Sequence, residues 1–224
     1  IVKRLSRVCE AYDTMLIIDE VFDPYRHDRS AGTFGYGAAD RSPLTCRLNG
    51  LSKMCAAPEV KAGWIAVTGG DEGRRSALVD AIDTRHDTYL TTSAFAEAAV
   101  RVFLTEPEAR DAQQTLRREV QTRSDLLAEA FNSPVFETPT VAPRGGIHRI
   151  VRLDPVVASE RFGTLDDERI AIEILKRSGV LIHPGYLYGL DDDAFGGGPW
   201  FVVSCLQKPE VLTAAGDRLR RVLH

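Results

Sequence analysis

Three charged residues raise the question of chemistry. Asp19 closes the apolar run Leu16-Ile17-Ile18. Lys53 follows 34 residues later in Leu48-Asn49-Gly50-Leu51-Ser52-Lys53, and Lys61 stands eight residues further on in Pro58-Glu59-Val60-Lys61-Ala62-Gly63-Trp64. A lysine acts as a nucleophile only as the free amine, and its ordinary pKa of about 10.4 keeps it charged near neutral pH unless burial or nearby positive charge intervenes. A carboxylate can hold a positive partner, while a cation or a hydroxyl such as that of Ser52 can hold an anion. Each piece alone is ordinary. Carboxylates end many strands, Ser-Lys is a common dipeptide, and the default place for a lysine is the surface. The order carries more: acid at a strand end, lysine, second cation, then Gly-Trp and another apolar run.

These residues need elements to position them. Residues 1–12 predict a helix in which Val2, Leu5 and Val8 recur at helical spacing, and Met15–Ile18 predict a short buried strand. Residues 28–44, rich in Gly, Ser and Asp, read as a loop. Thr45–Leu48 and Trp64–Val67 predict strands, with Asn49-Gly50 as a turn after the first of them. A helix is expected over 72–85. Residues 94–104, apolar on nearly every side, predict a buried helix. Glu106-Pro107-Glu108 opens a long helix by the proline-at-first-turn rule, with Ala109, Ala112, Leu116, Val120, Leu127 and Phe131 as its apolar stripe. The rest is an α+β tail. It has strands at Ile147–Leu153, Val180–Ile182 and Pro199–Ser204, a helix over 167–178, and a last helix from Pro209 carrying Val211, Ala215, Leu219 and Val222. Chain boundaries at 1–107, 108–132 and 133–224 follow from this pattern, the middle segment being an interdomain helix.

Composition narrows the class. Twenty-eight basic against 32 acidic residues give a net charge of −4 without a basic stripe, which argues against a nucleic-acid partner. Apolar runs are too short to span a bilayer, so no membrane partner is expected. Cys9, Cys46, Cys55 and Cys205 form neither a CxxC nor a Cys/His spacing. No metal site is therefore expected, and reduced thiols in a cytoplasmic protein are the expectation. The chain opens at Ile1 directly into a helical pattern, from which sequence upstream is expected.

With those motifs in order, the chain resembles the class I/II aminotransferases, fold-type-I enzymes dependent on pyridoxal 5'-phosphate, of the aspartate aminotransferase superfamily. The likeness extends to Pro143-Arg144-Gly145-Gly146, to His183-Pro184-Gly185-Tyr186 and to the Phe201–Ser204 strand with its following helix, and so covers essentially the whole chain. It implies an α/β fold: the C-terminal part of a pyridoxal-phosphate-dependent transferase, with part of a large α/β/α domain over 1–107 and a small α+β domain over 133–224. Lys53 is then the lysine that carries the cofactor as a Schiff base. Asp19 pairs with the pyridine nitrogen, and Ser52 and Lys61 hold the phosphate. The family's glycine-rich phosphate loop, ring-stacking aromatic and cofactor-contacting asparagine lie upstream of a segment like 1–20. The chain is therefore expected to hold half of its cofactor site.

The departures are specific. Lys61 stands where the family usually has arginine, which replaces a bidentate fork with a point charge. Phe22 replaces a tyrosine whose hydroxyl would reach the cofactor, with Tyr25 close by in sequence. Gly50 stands where many relatives carry serine or threonine. Val202 replaces the arginine that forks the substrate carboxylate. Arg152 is the nearest substitute: in a strand, His148, Ile150 and Arg152 share a face and Arg149 points the other way. Tyr186 and Tyr188 are expected to close over the substrate.

The resemblance implies an aminotransferase that moves an amino group between an amino acid and a 2-oxo acid, working as a homodimer. Two alternatives share the framework: the pyridoxal-phosphate-sensing domain of a transcription regulator, and a lyase or synthase on the same fold.

Overall fold

The computed structural model describes residues 2–26, 43–137, 145–190 and 197–223. Most of the predicted 28–44 loop, and Pro143 and Arg144 of the Pro-Arg-Gly-Gly motif, lie outside them. The chain forms two compact units, 1–116 and 117–224. The division falls within the long helix.

The first unit begins with α1 (Val2–Ala11) and β1 (Leu16–Asp19). A 3-10 turn, Asp23–Tyr25, follows. Next come β2 (Thr45–Gly50), the single-turn helix α2 (Leu51–Met54), a 3-10 turn at Pro58–Val60 and β3 (Gly63–Thr68). The three strands make one sheet in the order β1-β2-β3, with β1 parallel to β2 and β2 antiparallel to β3. Asn49-Gly50 is not a turn. Both residues belong to β2 and pair with Trp64 and Gly63. Gly50 is fully extended (φ −178°, ψ 166°), and a Cβ on it would lie 2.9 Å from the Ala62 carbonyl oxygen. The glycine serves the close approach of two strands.

Two helices complete this unit before the long one. α3 (Glu72–Thr88) is capped by Asp71, whose carboxylate accepts from the Arg74 amide. α4 (Ala94–Thr105) is capped in the same way by Ser93. The predicted burial of α4 on nearly every side is not found: Ala96 is buried, while Phe95 is 80% exposed and Val102 and Leu104 are also exposed. Composition alone suggested an all-round core helix, whereas only the Ala96, Ala99, Val100 and Phe103 side meets a core, packing around Leu51 and Ala62.

α5 (Pro107–Ala130) runs from one unit into the next. The second unit then holds β4 (Phe136–Glu137), β5 (His148–Leu153), α6 (Pro155–Phe162) and α7 (Asp167–Ser178). It closes with β6 (His183–Pro184), β7 (Trp200–Ser204) and α8 (Pro209–Leu223). Its four strands pair antiparallel in the order β4-β5-β7-β6. Val180–Ile182 is not a strand: the ladder to β7 starts only at His183, and Ile182 is buried as an irregular segment. α6 was not predicted, although Asp154 accepts from the Val156 and Val157 amides, Pro155 opens the helix and Gly163 ends it in the left-handed region. On α8, of the predicted Val211, Ala215, Leu219 and Val222, Leu219 is buried, Ala215 and Val222 are half-buried and Val211 is exposed; the other buried positions are Leu212, Gly216 and Leu223. Among the described residues no helix is long and apolar enough to cross a membrane.

Candidate active site

The sheet of the first unit gathers the predicted residues at one end. Because β1 and β2 are parallel, with Asp19 opposite Leu48, both run toward the same end, where Asp19 terminates β1 and Ser52 and Lys53 follow β2. β3 is antiparallel and starts opposite Gly50, so Lys61, two residues ahead of Gly63, lies at that end too. Leu51 N donates to the Ala62 carbonyl at 3.0 Å, which ties the start of α2 to the segment carrying Lys61. The carboxyl ends of parallel strands are where open α/β sheets bind ligands.

Local structure fixes each group. The Asp19 carboxylate is exposed and accepts from the Val21 amide at 3.0 Å. Glu20 N extends the ladder to the Leu48 carbonyl, and the Glu20 carboxylate receives Arg47 Nε on both oxygens at 3.0 Å and Arg47 Nη2 at 2.7 Å. This bidentate pair clasps the ends of β1 and β2. Leu51 is fully buried and anchors α2, while Lys53 on the same turn is exposed and Ser52 half-buried. Lys61 is exposed, in the left-handed region at φ 55°, ψ 40°. Gly50 has no room for the serine or threonine of relatives while Ala62 keeps its place.

The second unit carries the remaining predicted residues. The register of β5 on β7 pairs His148 with Ser204, Ile150 with Val202 and Arg152 with Trp200, so these six share one face, and His183 joins them opposite Val202. Arg149 lies on the other face, where burial lowers its pKa, partly offset by the Asp125 carboxylate. Arg152 pairs with Glu137, its direct neighbour across the β4–β5 ladder, at 3.0 Å, and lies 5.7 Å over the Trp200 ring. Gly198, at φ +96°, leaves that guanidinium its space, since a Cβ there would meet Arg152 Nε at 2.9 Å. Val202 is buried with Leu190, Trp200 and Ile150, an apolar setting that explains why it holds no cation.

The two tyrosines differ. Tyr186 turns to the first turn of α7: its amide donates to Asp167 at 3.0 Å and its hydroxyl to Glu168 at 3.4 Å. Desolvation, followed by the Glu168 carboxylate, pushes its pKa up. Tyr188 instead meets His183 Nδ1 at 2.7 Å, stacks on that ring at 6.0 Å between centroids and lies 6.1 Å from the His148 ring. Sequence reading did not single out Glu137, or His183 as a tyrosine partner, and it noted Tyr25 only for its nearness to Phe22, whereas Tyr25 donates to the Lys53 carbonyl oxygen at 2.6 Å. For Glu137 the only signal was its place on an unpredicted two-residue strand. For Tyr25 there was none beyond proximity to Phe22.

Comparison with known proteins identifies the lineage. The family model for aminotransferase class I and II matches residues 2–218. An alanine aminotransferase of Mycobacterium tuberculosis is 23% identical over 185 residues, covering 83% of this chain and 42% of that protein. Among solved structures, an alanine aminotransferase from Pyrococcus furiosus superposes with a TM-score of 0.77 at 21% identity, covering 99% of this chain and 52% of that one. An aromatic aminotransferase from Pyrococcus horikoshii gives 0.75 at 21% identity, covering 99% and 54%. The chain thus spans about half the length of these relatives, or less. The mixed α/β fold is that of the fold-type-I aminotransferases, and the chain belongs to the aminotransferase class I and II family.

Proposed function

We propose that the protein is a pyridoxal-phosphate-dependent aminotransferase, moving an amino group between an amino acid and a 2-oxo acid, with Lys53 as the residue that carries the cofactor. The observation that carries this reading is the convergence of Asp19, Ser52, Lys53 and Lys61 at one end of the β1–β2–β3 sheet. The residues fit the cofactor. The set offers a carboxylate for a ring nitrogen, an amine for an aldehyde, and a hydroxyl and a cation for a phosphate. The Gly50–Ala62 crossing keeps the strands carrying them closer than a Cβ would permit. Bound pyridoxal phosphate supplies the electron sink for bond breaking at the substrate Cα.

The chain's own residues do the rest. The Asp19 carboxylate, oriented by the Val21 amide, would hold a proton on the ring nitrogen. Lys53 Nζ would hold the cofactor at rest and, once displaced, take a proton from the substrate and return it two atoms away, a 1,3-shift. Lys61 would hold the phosphate as a point charge beside the Ser52 hydroxyl. In the second unit Arg152, Tyr186 and Tyr188 are the substrate-side candidates, and an incoming carboxylate would compete with Glu137 for Arg152. The domain roles of 1–107, 108–132 and 133–224, a homodimeric assembly and a cytoplasmic setting belong to the same reading. The regulator and lyase alternatives gain nothing from the relatives, whose names are those of aminotransferases.

Borohydride reduction of the protein with pyridoxal phosphate, followed by peptide mapping, tests the assignment. The pyridoxyl group should be found on Lys53. Its recovery on any other lysine removes the basis of the reading.

A further inference from the structure

α2 is one helical turn, so its last carbonyls have no helical N–H ahead of them. The chain leaves it through Cys55 and then Ala56 at φ +50°: the Leu51 carbonyl is well served by the Cys55 and Ala57 amides, while the Lys53 carbonyl receives only a share of Cys55 N and Ala56 N at 3.4 Å. The better partner comes from 28 residues upstream. Tyr25, 7% exposed, donates its hydroxyl to the Lys53 carbonyl oxygen at 2.6 Å.

The segment that delivers Tyr25 is itself tied at both ends. It starts at Asp19, passes Glu20 with its Arg47 clasp, and turns where Asp23 N meets the Glu20 carbonyl at 2.9 Å and Tyr25 N the Phe22 carbonyl at 3.0 Å. Six residues thus run from the carboxylate at the end of β1 to the backbone of the lysine after β2. A buried phenol cannot leave its acceptor for water without cost, so the link favours one placement of α2.

We infer that Tyr25 is a positioning residue for Lys53, its hydroxyl completing the last turn of α2 and so fixing where the lysine amine is presented. Its functional consequence rests on the reading of Lys53 as the cofactor lysine; its structural consequence does not. Tyr25→Phe keeps the buried ring and deletes only the hydroxyl. Native-state hydrogen exchange should then speed up about threefold to tenfold at the Cys55 and Ala57 amides, both of which bond the Leu51 carbonyl, and stay unchanged at Glu97 in α4. In the holoenzyme kcat should fall about tenfold with KM for the amino acid within about twofold, the pattern of a misplaced group and not of lost binding. Unchanged exchange at Cys55 and Ala57 overturns the inference. So does equal acceleration at Glu97, which would make the hydroxyl a support of the whole unit, and so does faster exchange at α2 with kcat intact. Failure of the cofactor reading shows itself differently: no pyridoxyl group on Lys53 of the unsubstituted protein, with the exchange effect of Tyr25→Phe still present and still supporting the placement of α2.

Discussion

The two units are held together by different means. In the second, Val151, Leu153 and Phe201 of the sheet, Ile170 and Ile174 of α7, Ile182 and Leu223 are all nearly or wholly without solvent contact. Among the described residues of the first, Leu51 and Thr45 are fully buried and Ala96, Ala62 and Cys46 nearly so, while Ile17, Ile65 and Met15 on or beside the strands remain exposed. What orders the first unit includes many polar links: the Arg47–Glu20 clasp, the Tyr25–Lys53 link, the Asp71 and Ser93 caps, and Gln113 reaching the Phe103 carbonyl at 2.8 Å. Among the described residues, the unit bearing the proposed cofactor residues is thus the one with fewer large buried side chains. Hydrogen bonds contribute about 1 kcal/mol each net, whereas a large buried side chain contributes two to three times that. Directional links can set geometry where burial is scarce, but they leave stability to the other unit.

The largest expected effect follows from that contrast. Ile174 is fully buried on α7, and Ile174→Ala should destabilise the second unit by about 2–5 kcal/mol, through lost transfer energy and the cavity left behind. Urea unfolding followed by probes in each unit would measure it. A loss below about 1 kcal/mol would mean that the core is not the closed one described, and the contrast between the units would fade.

A smaller effect, in the first unit, comes from backbone packing. Gly50→Ala brings a Cβ to 2.9 Å from the Ala62 carbonyl, and neither the β2–β3 pairing nor the Leu51–Ala62 bond can yield freely. The cost should be about 1–3 kcal/mol, the range for overpacked sites. Because α2 starts at the next residue, uptake of pyridoxal phosphate by the variant should weaken as well. A variant as stable as the parent, with unaltered cofactor uptake, would show that the crossing is looser than its geometry indicates.

These cases also mark what the sequence could disclose. The place of Asp19 and Lys53 at one end of the sheet was legible because each stands where an apolar run stops. The 167–178 helix was legible because Ile170 and Ile174 recur on one face, and both are buried there. Asn49-Gly50 misled because the dipeptide is a strong turn signal by itself, while its actual role depends on Gly63, thirteen residues on. The face of α8 was right at Leu219 but off by one residue before and after it; one of the buried positions is Gly216, which sends no hydrophobic signal. It is buried because the helix passes so near Ala130 that a Cβ would lie 2.7 Å from that residue's own. α6 was overlooked although Asp154-Pro155 and Gly163 bracket it. The Tyr25–Lys53 bond had no local trace at all, being a contact between residues 28 apart in the chain.

The smallest expected effect tests the first unit's exposed side. Ile17 lies on β1 and is 58% exposed, and Ile65, 45% exposed, shares its face of the sheet: Ile17 pairs with Cys46, and Leu48, two residues along from Cys46, pairs with Ile65. An isoleucine that keeps more than half of its surface in water forfeits little on losing apolar area, and threonine retains the branched side chain that suits a strand. Ile17→Thr should therefore change stability by no more than about 0.5 kcal/mol, the ordinary range for surface substitutions. It should also lower any tendency to self-associate, since it breaks the contiguity of an exposed apolar face. Unfolding in denaturant and light scattering at several protein concentrations would read the two consequences separately. Should Ile17→Thr cost as much as a core substitution, the residue must be covered in the protein as it exists in solution. The first unit would then own a second buried face, and its dependence on polar links would be correspondingly less.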